Sequence, residues 1–221
     1  MKKEFVFDYP TPDLVREYVK EFDEGNNHED YYKDEAIKKL FDLLPNNTMI
    51  DEVLAKVTLL NNFYGTQILN IDLVNVASDI VSMNIDNKLG RNGKEADISV
   101  VNQIAYEMEN YHRNLYSFAS KYCSFHNQNA FPIADSFAKG MLYYMNFSKD
   151  EKFRFFPVQF TQSKLNNYSN YCKVYRAFIK HFGLEKMSYK EIDKYLWKYA
   201  KYVMGTRIQI TDSSFDPEKL L

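Results

Sequence analysis

Lys121 and Asp135 are the two residues whose types could do chemistry together. Asp135 lies in AFPIADSFAKGML (130–142), where an apolar-Pro-apolar run delivers one carboxylate to the start of a largely apolar helix. A carboxylate held beside a reacting centre stabilises developing positive charge and can orient a nucleophile. The effect is stronger where water is excluded, and Phe131, Ile133 and Phe137 are neighbours able to exclude it. A lysine amine such as that of Lys121 can act as a nucleophile and form a Schiff base. Each residue also has a plainer reading. Asp135 sits where a carboxylate caps a helix, stabilised by orphan N–H groups and the helix dipole. Lys121 can equally be a solvated surface lysine.

Other signatures are absent. The chain has no P-loop, no GxGxxG, no HExxH and no GxSxG. His28, His112, His126 and His181 are scattered, with no i, i+4 pair. Cys123 and Cys172 are too few for an all-cysteine zinc site or a disulfide framework. No metal and no cofactor is therefore expected. His126 follows the end of the helix that holds Cys123. It reads either as a cation on that helix's dipole or as a substrate contact.

The elements that must position these residues are helical. Thr11-Pro12-Asp13 looks like a helix start, with apolar residues at helical spacing to Phe22 and a stop at Gly25-Asn26-Asn27. A second stripe, Ile37 to Leu44, ends at Pro45. Asn47-Thr48 can cap a third helix that stops near Gly65. Residues 71–83 read as a buried helix, 87–97 as a loop, and Asp97 as the cap of a helix through Met108. Helices are expected over 113–125, 134–146 and 163–182, the last with Gly183 just past its end. The tyrosine stripe over 168–199 should be mostly core, with hydroxyls reaching the surface. Ser188 to Glu191 is a capping box opening a helix that ends at Gly205. The tail 206–221 reads as peripheral. The expected fold is all-α, about nine helices in one body over 1–221. It can also divide into two lobes with a cleft between them, about 30–145 and 146–205 plus the N-terminal helix.

Composition bounds the class. The chain has 221 residues, 45% of them apolar, with 18 Tyr and 17 Phe. No apolar run reaches signal-peptide or transmembrane length, so a cytoplasmic chain with no membrane partner is expected. The net charge of −2 hides a split. Residues 1–110 carry 11 Lys and Arg against 21 Asp and Glu, and residues 111–207 carry 16 against 6. So basic a half attracts polyanions, unless the acidic half pairs with it internally. Arg113, Lys139, Lys149, Lys152 and Arg154 are candidate phosphate contacts, or simply a solvated face.

Over roughly residues 50–145 the chain resembles the helix–hairpin–helix DNA glycosylase superfamily. FPIADSFAKGML is similar to the segment in which those enzymes deliver an aspartate to a helix start. LLNNFYGTQI (59–68) is similar to their DNA-facing helix end. The resemblance implies a DNA N-glycosylase acting on a damaged or modified base. Asp135 would then stabilise charge on the sugar and Lys121 would attack the sugar carbon. The base must leave the stack, and Tyr116, Tyr122 or Phe63 could receive it. Gln67 would contact DNA, or serve as a helix-end hydrogen bonder. The superfamily's Leu-Pro-Gly-Val-Gly hairpin has no counterpart, because 107–123 contains no glycine. That departure supports an alternative of the same fold: a non-catalytic helical module binding nucleic acid or protein. The sequence does not set the oligomeric state.

Overall fold

Apolar residues at helical spacing build nine α-helices among the described residues of a computed structural model. Those residues are 6–24, 29–91 and 95–211, with side chains described as far as Val203. The helices are α1 (Pro12–Glu24), α2 (Glu29–Leu43), α3 (Ile50–Tyr64), α4 (Leu73–Ser82) and α5 (Ser99–Tyr106). They continue with α6 (Tyr116–His126), α7 (Ser136–Asn146), α8 (Tyr168–His181) and α9 (Tyr189–Thr211). Short 3-10 turns link several of them, and no strand forms among the described residues. The fold is all-α. No helix there is long and apolar enough to cross a membrane.

Local chemistry sets most helix ends. Gly65 and Gly183 take the left-handed conformation, φ +56° and +67°, that closes α3 and α8. The Ser188 and Glu191 capping box is formed. The Ser188 N–H donates to Glu191 Oε2 at 2.8 Å, and the Glu191 N–H donates to Ser188 Oγ at 3.2 Å. Two boundaries differ from expectation. The helix expected over 163–182 divides, because Asn167 is extended and caps α8 through the Asn170 N–H. The helix expected to end at Gly205 runs through it to Thr211. The stop at Gly25-Asn26-Asn27 and the end of the tail, 212–221, lie outside the described residues.

One apolar cluster runs from Phe7 to Val203, so both ends of the chain share a core. Helix α9 packs on α1 and α7, α3 on α4, and α5 on α6. Helix α6 is buried nearly all round, the placement of a central helix. Its polar residues bond locally: Ser120 Oγ donates to the Ser117 carbonyl, and Ala134 N–H donates to Ser120 Oγ at 3.0 Å.

The run 131–135 before α7 forms neither helix nor strand, so much of its backbone must be satisfied by side chains. The hydroxyl of Tyr168 donates to the Pro132 carbonyl at 2.7 Å, and that of Tyr171 to the Ile133 carbonyl. These hydroxyls therefore do not reach the surface as expected. They point inward and hold the run that carries Asp135.

Asn47 also departs from its expected role as a cap. The N-cap of α3 is Met49, with no side-chain cap bond. Asn47 instead organises a buried polar knot. Its N–H and Nδ2 donate to the Asp86 carboxylate at 2.9 and 2.7 Å. Its Oδ1 accepts from Lys56 Nζ at 2.8 Å, from Tyr122 Oη and from His126 Nε2 at 3.2 Å. Lys56 is fully buried and also donates to the Leu44 and Asn46 carbonyls. Asn47→Ala removes one of the three acceptors of the buried Lys56 ammonium and the acceptor of the buried Tyr122 hydroxyl, so it should lower unfolding free energy by about 3 kcal/mol, measured by urea denaturation.

Candidate active site

A cavity of about 230 Å³ opens where α1, α2, α3, α6, α9 and the start of α7 meet. Lys121 and Asp135 both line it. Lys121 Nζ lies 3.4 Å from Asp135 Oδ2 and donates to Ser117 Oγ at 2.8 Å. The ammonium also sits 5.4 Å from the centre of the Tyr64 ring, a cation–π contact. Lys121 is only 4% exposed and Asp135 9%. A surface lysine would not be so enclosed.

The two readings of Asp135 are compatible in this geometry. Oδ1 accepts the Ala138 N–H at 2.9 Å and caps α7. Oδ2 faces Lys121 and the cavity. The cap fixes the orientation of the carboxylate and leaves one oxygen turned to the ammonium.

Helix α9 supplies a wall that the spacing alone did not suggest. Lys190, Asp193, Lys194, Trp197 and Lys201 recur at one face and line the cavity. The signal was present as a polar stripe beside the apolar stripe of Ile192, Leu196 and Tyr199. Lysines on a helix usually face solvent, so the stripe does not by itself mark a site. Lys190 Nζ pairs with Asp34 at 2.6 Å, and Tyr64 Oη donates to the same carboxylate at 2.7 Å. Burial, and then the neighbouring Asp34, push the Tyr64 phenol well above its ordinary pKa, so it remains a donor. Asp193 is 12% exposed, and its ion pair with Lys190 is long, at 4.0 Å. Burial raises its carboxyl to about 7, with Asp135 and Asp34 pushing the same way and Lys190 and Lys121 opposing. Phe22, Phe63 and Trp197 give aromatic walls.

The basic half is partly neutralised inside the molecule. Lys194 pairs with Asp23 at 2.6 Å and Lys198 with Glu21 at 3.3 Å, joining α9 to α1. With the Lys190 pair to Asp34 on α2, these contacts set the basic C-terminal helix on the acidic N-terminal ones.

Other expected site residues lie elsewhere. Tyr122 is fully buried against Phe41 and bonds Asn47, so it cannot receive a base. Tyr116 packs on Tyr106 and Tyr168 and donates to the Leu165 carbonyl. His126 belongs to the Asn47 knot. Burial, followed by the Lys56 and Arg91 charges, lowers its pKa well below the ordinary value, so it is no cation on the α6 dipole. Gln67 is exposed with φ +62° beyond α3 and does not line the cavity. Asn61 is what holds that bend, accepting from Thr66 Oγ1 and the Ile68 N–H. Lys139 is half-buried, bonds Asn166 Oδ1 at 2.7 Å and lies over the Tyr116 ring, which withdraws it from phosphate contact. Arg113, Lys149, Lys152 and Arg154 are all exposed, and Lys152 and Arg154 pair with Asp150 and Glu151. Among the described residues no His, Cys, Asp and Glu group could hold a metal.

Comparison with known proteins adds kinship. Residues 14–130 match HI_0787_N, described as an N-terminal domain. The match takes in Lys121 and stops short of Asp135 and α9. A protein of Haemophilus influenzae (strain Rd), named Uncharacterized protein, is 34% identical over 162 residues. Those residues are 72% of this chain and 72% of that protein. No solved structure matches the chain.

The raised carboxyl of Asp193 has a consequence for stability. The folded protein holds this proton up to about pH 7, whereas an unfolded aspartate releases it near pH 3.9. Stability from this group is therefore full below about pH 4 and is lost as pH rises through 7. Asp193→Asn should raise unfolding free energy by roughly 2 kcal/mol at pH 8, with the gain shrinking toward pH 4 in denaturation curves.

Proposed function

This chain belongs to the HI_0787_N family, and we propose that it is a DNA N-glycosylase-like enzyme that removes a damaged or modified base. The observation that carries the reading is the buried ion pair, Lys121 Nζ to Asp135 Oδ2 at 3.4 Å, in the wall of a cavity. Pockets for drug-sized ligands run to about 300–1,000 Å³, and this one, at about 230 Å³, suits a single small ring system. A nucleobase turned out of its helix fits that description. Phe63 and Trp197 give it apolar walls.

In this reading the Asp135 carboxylate stabilises positive charge as it grows on the sugar. Its cap to Ala138 holds it in place, so little reorganisation is needed. The Lys121 ammonium gives one proton to solvent, and the resulting amine attacks C1′ as the bond from C1′ to the base breaks; ring opening then yields a Schiff base. Exposed cations such as Arg113 and Lys149 contact phosphates and position the DNA without reading its sequence. The non-catalytic reading draws on the connection between α5 and α6. There the Asp79 carboxylate accepts from Asn110, and no glycine offers the superfamily's phosphate-gripping hairpin.

Incubation with duplexes bearing a panel of damaged bases, followed by borohydride, tests the reading. The wild-type protein should release a base and give a trapped covalent product. Lys121→Ala should lose the trapped product, and Asp135→Asn should lower base release by about 100-fold or more. Salt-dependent DNA binding with no base release and no trapping would support the non-catalytic module instead.

A further inference from the structure

We propose that Asp193 is the general acid that delivers a proton to the departing base, while Asp135 serves the sugar. The assignment rests on the glycosylase reading above and deepens it.

The cavity contains two near-buried carboxylates in unlike surroundings. Asp135 is committed as an acceptor on both oxygens, to the Ala138 N–H and toward the Lys121 ammonium. Asp193 stands on α9, whose capping N–H groups lie at the other end of a turn. Its ion pair with Lys190 spans 4.0 Å, and that ammonium sits closer, 2.6 Å, to Asp34. Asp193 is thus enclosed without a close counter-charge. The groups facing it are Asp34 from α2, Tyr64 from α3, Lys121 from α6, Asp135 at the start of α7, Tyr171 and Tyr175 from α8 and Lys190 on its own helix. The balance of these groups leaves it holding a proton up to about pH 7. Two carboxyl groups whose environments separate their proton affinities divide into an acid and a charge stabiliser.

The step balances. The C1′–N bond breaks, and its electron pair goes to the base nitrogen. The Asp193 hydroxyl proton moves to the base, which leaves neutral, and Asp193 becomes a carboxylate. The Lys121 ammonium first gives one proton to solvent in the cavity; the lone pair of the resulting amine forms the new C1′–N bond, so the positive charge returns to that nitrogen beside Asp135. Opening of the sugar ring then moves a proton from this nitrogen to the ring oxygen and yields the Schiff base. A Trp197 wall on the same face of α9, one turn from Asp193, places the base beside the donor.

Two substrates separate the roles. On lesion-bearing duplexes, single-turnover base release by the wild type should fall about tenfold per pH unit above 7. Asp193→Asn should lower release by about 100-fold or more and abolish that alkaline fall. On a duplex carrying an abasic site there is no base to protonate, so borohydride trapping through Lys121 should not depend on Asp193. The denaturation curves predicted for Asp193→Asn show whether the variant is folded. Release that is unchanged in Asp193→Asn, or trapping lost together with release, overturns the assignment. So does a wild-type protein that traps abasic DNA but releases no base. A wild-type protein that neither traps nor releases overturns the glycosylase reading itself, and the acid role falls with it.

Discussion

An ammonium cannot be taken out of water without a partner, and Lys121 has been taken almost entirely out of water. Its enclosure requires the Asp135 carboxylate, the Ser117 hydroxyl and the Tyr64 ring, which come from a following segment, its own helix and α3. Much of the surrounding architecture serves to bring these groups together. The irregular run 131–135 has no sheet to bond with, so α8 supplies tyrosine hydroxyls and α6 a serine hydroxyl to satisfy it. Loss of any of these donors would leave the backbone before Asp135 unsatisfied and free the carboxylate from its register.

Charge enters this structure on two scales. Across the chain, the acidic first half and basic second half meet where α9 lies on α1 and α2, and three lysines find carboxylates there. Partly exposed pairs of this kind add little stability singly. Their arrangement matters more, because it places α9's polar face against the cavity. Within the cavity the same charges act at short range. There they hold Asp193 apart from full neutralisation and leave Asp135 paired. A second buried knot, around Asn47 and Lys56, shows that this molecule also uses enclosed lysines purely for structure. The two sites differ in what surrounds them. Lys56 has three oxygen acceptors and does not line this cavity, whereas Lys121 does.

Helix content was legible in the sequence, as were most helix positions. Apolar spacing, Pro12 at a helix start, Gly65 and Gly183 past helix ends, and the Ser188–Glu191 box are local signals with local causes. The places where such reading failed share a reason. Asn47 looks like a cap from its neighbours, but its partners are 39, 75 and 79 positions away. Asn167 divides the apparently continuous helix over 163–182 because Asn102 and the preceding 3-10 turn take up the backbone there. Tyr122 and His126 look available for a ligand until α2 and the Asn47 turn close over them.

What the sequence determined by itself was therefore the set of helices, the delivery of Asp135 to a helix start and the imbalance of charge, since each depends on residues within a few positions of one another. Only the tertiary structure decided that Lys121 faces Asp135, that α9 contributes Asp193 and Trp197 to the same hollow, and which lysines are spent on carboxylates. Those outcomes depend on how helices distant in the chain pack, and on burial, which converts an ordinary lysine and aspartate into a strongly interacting pair.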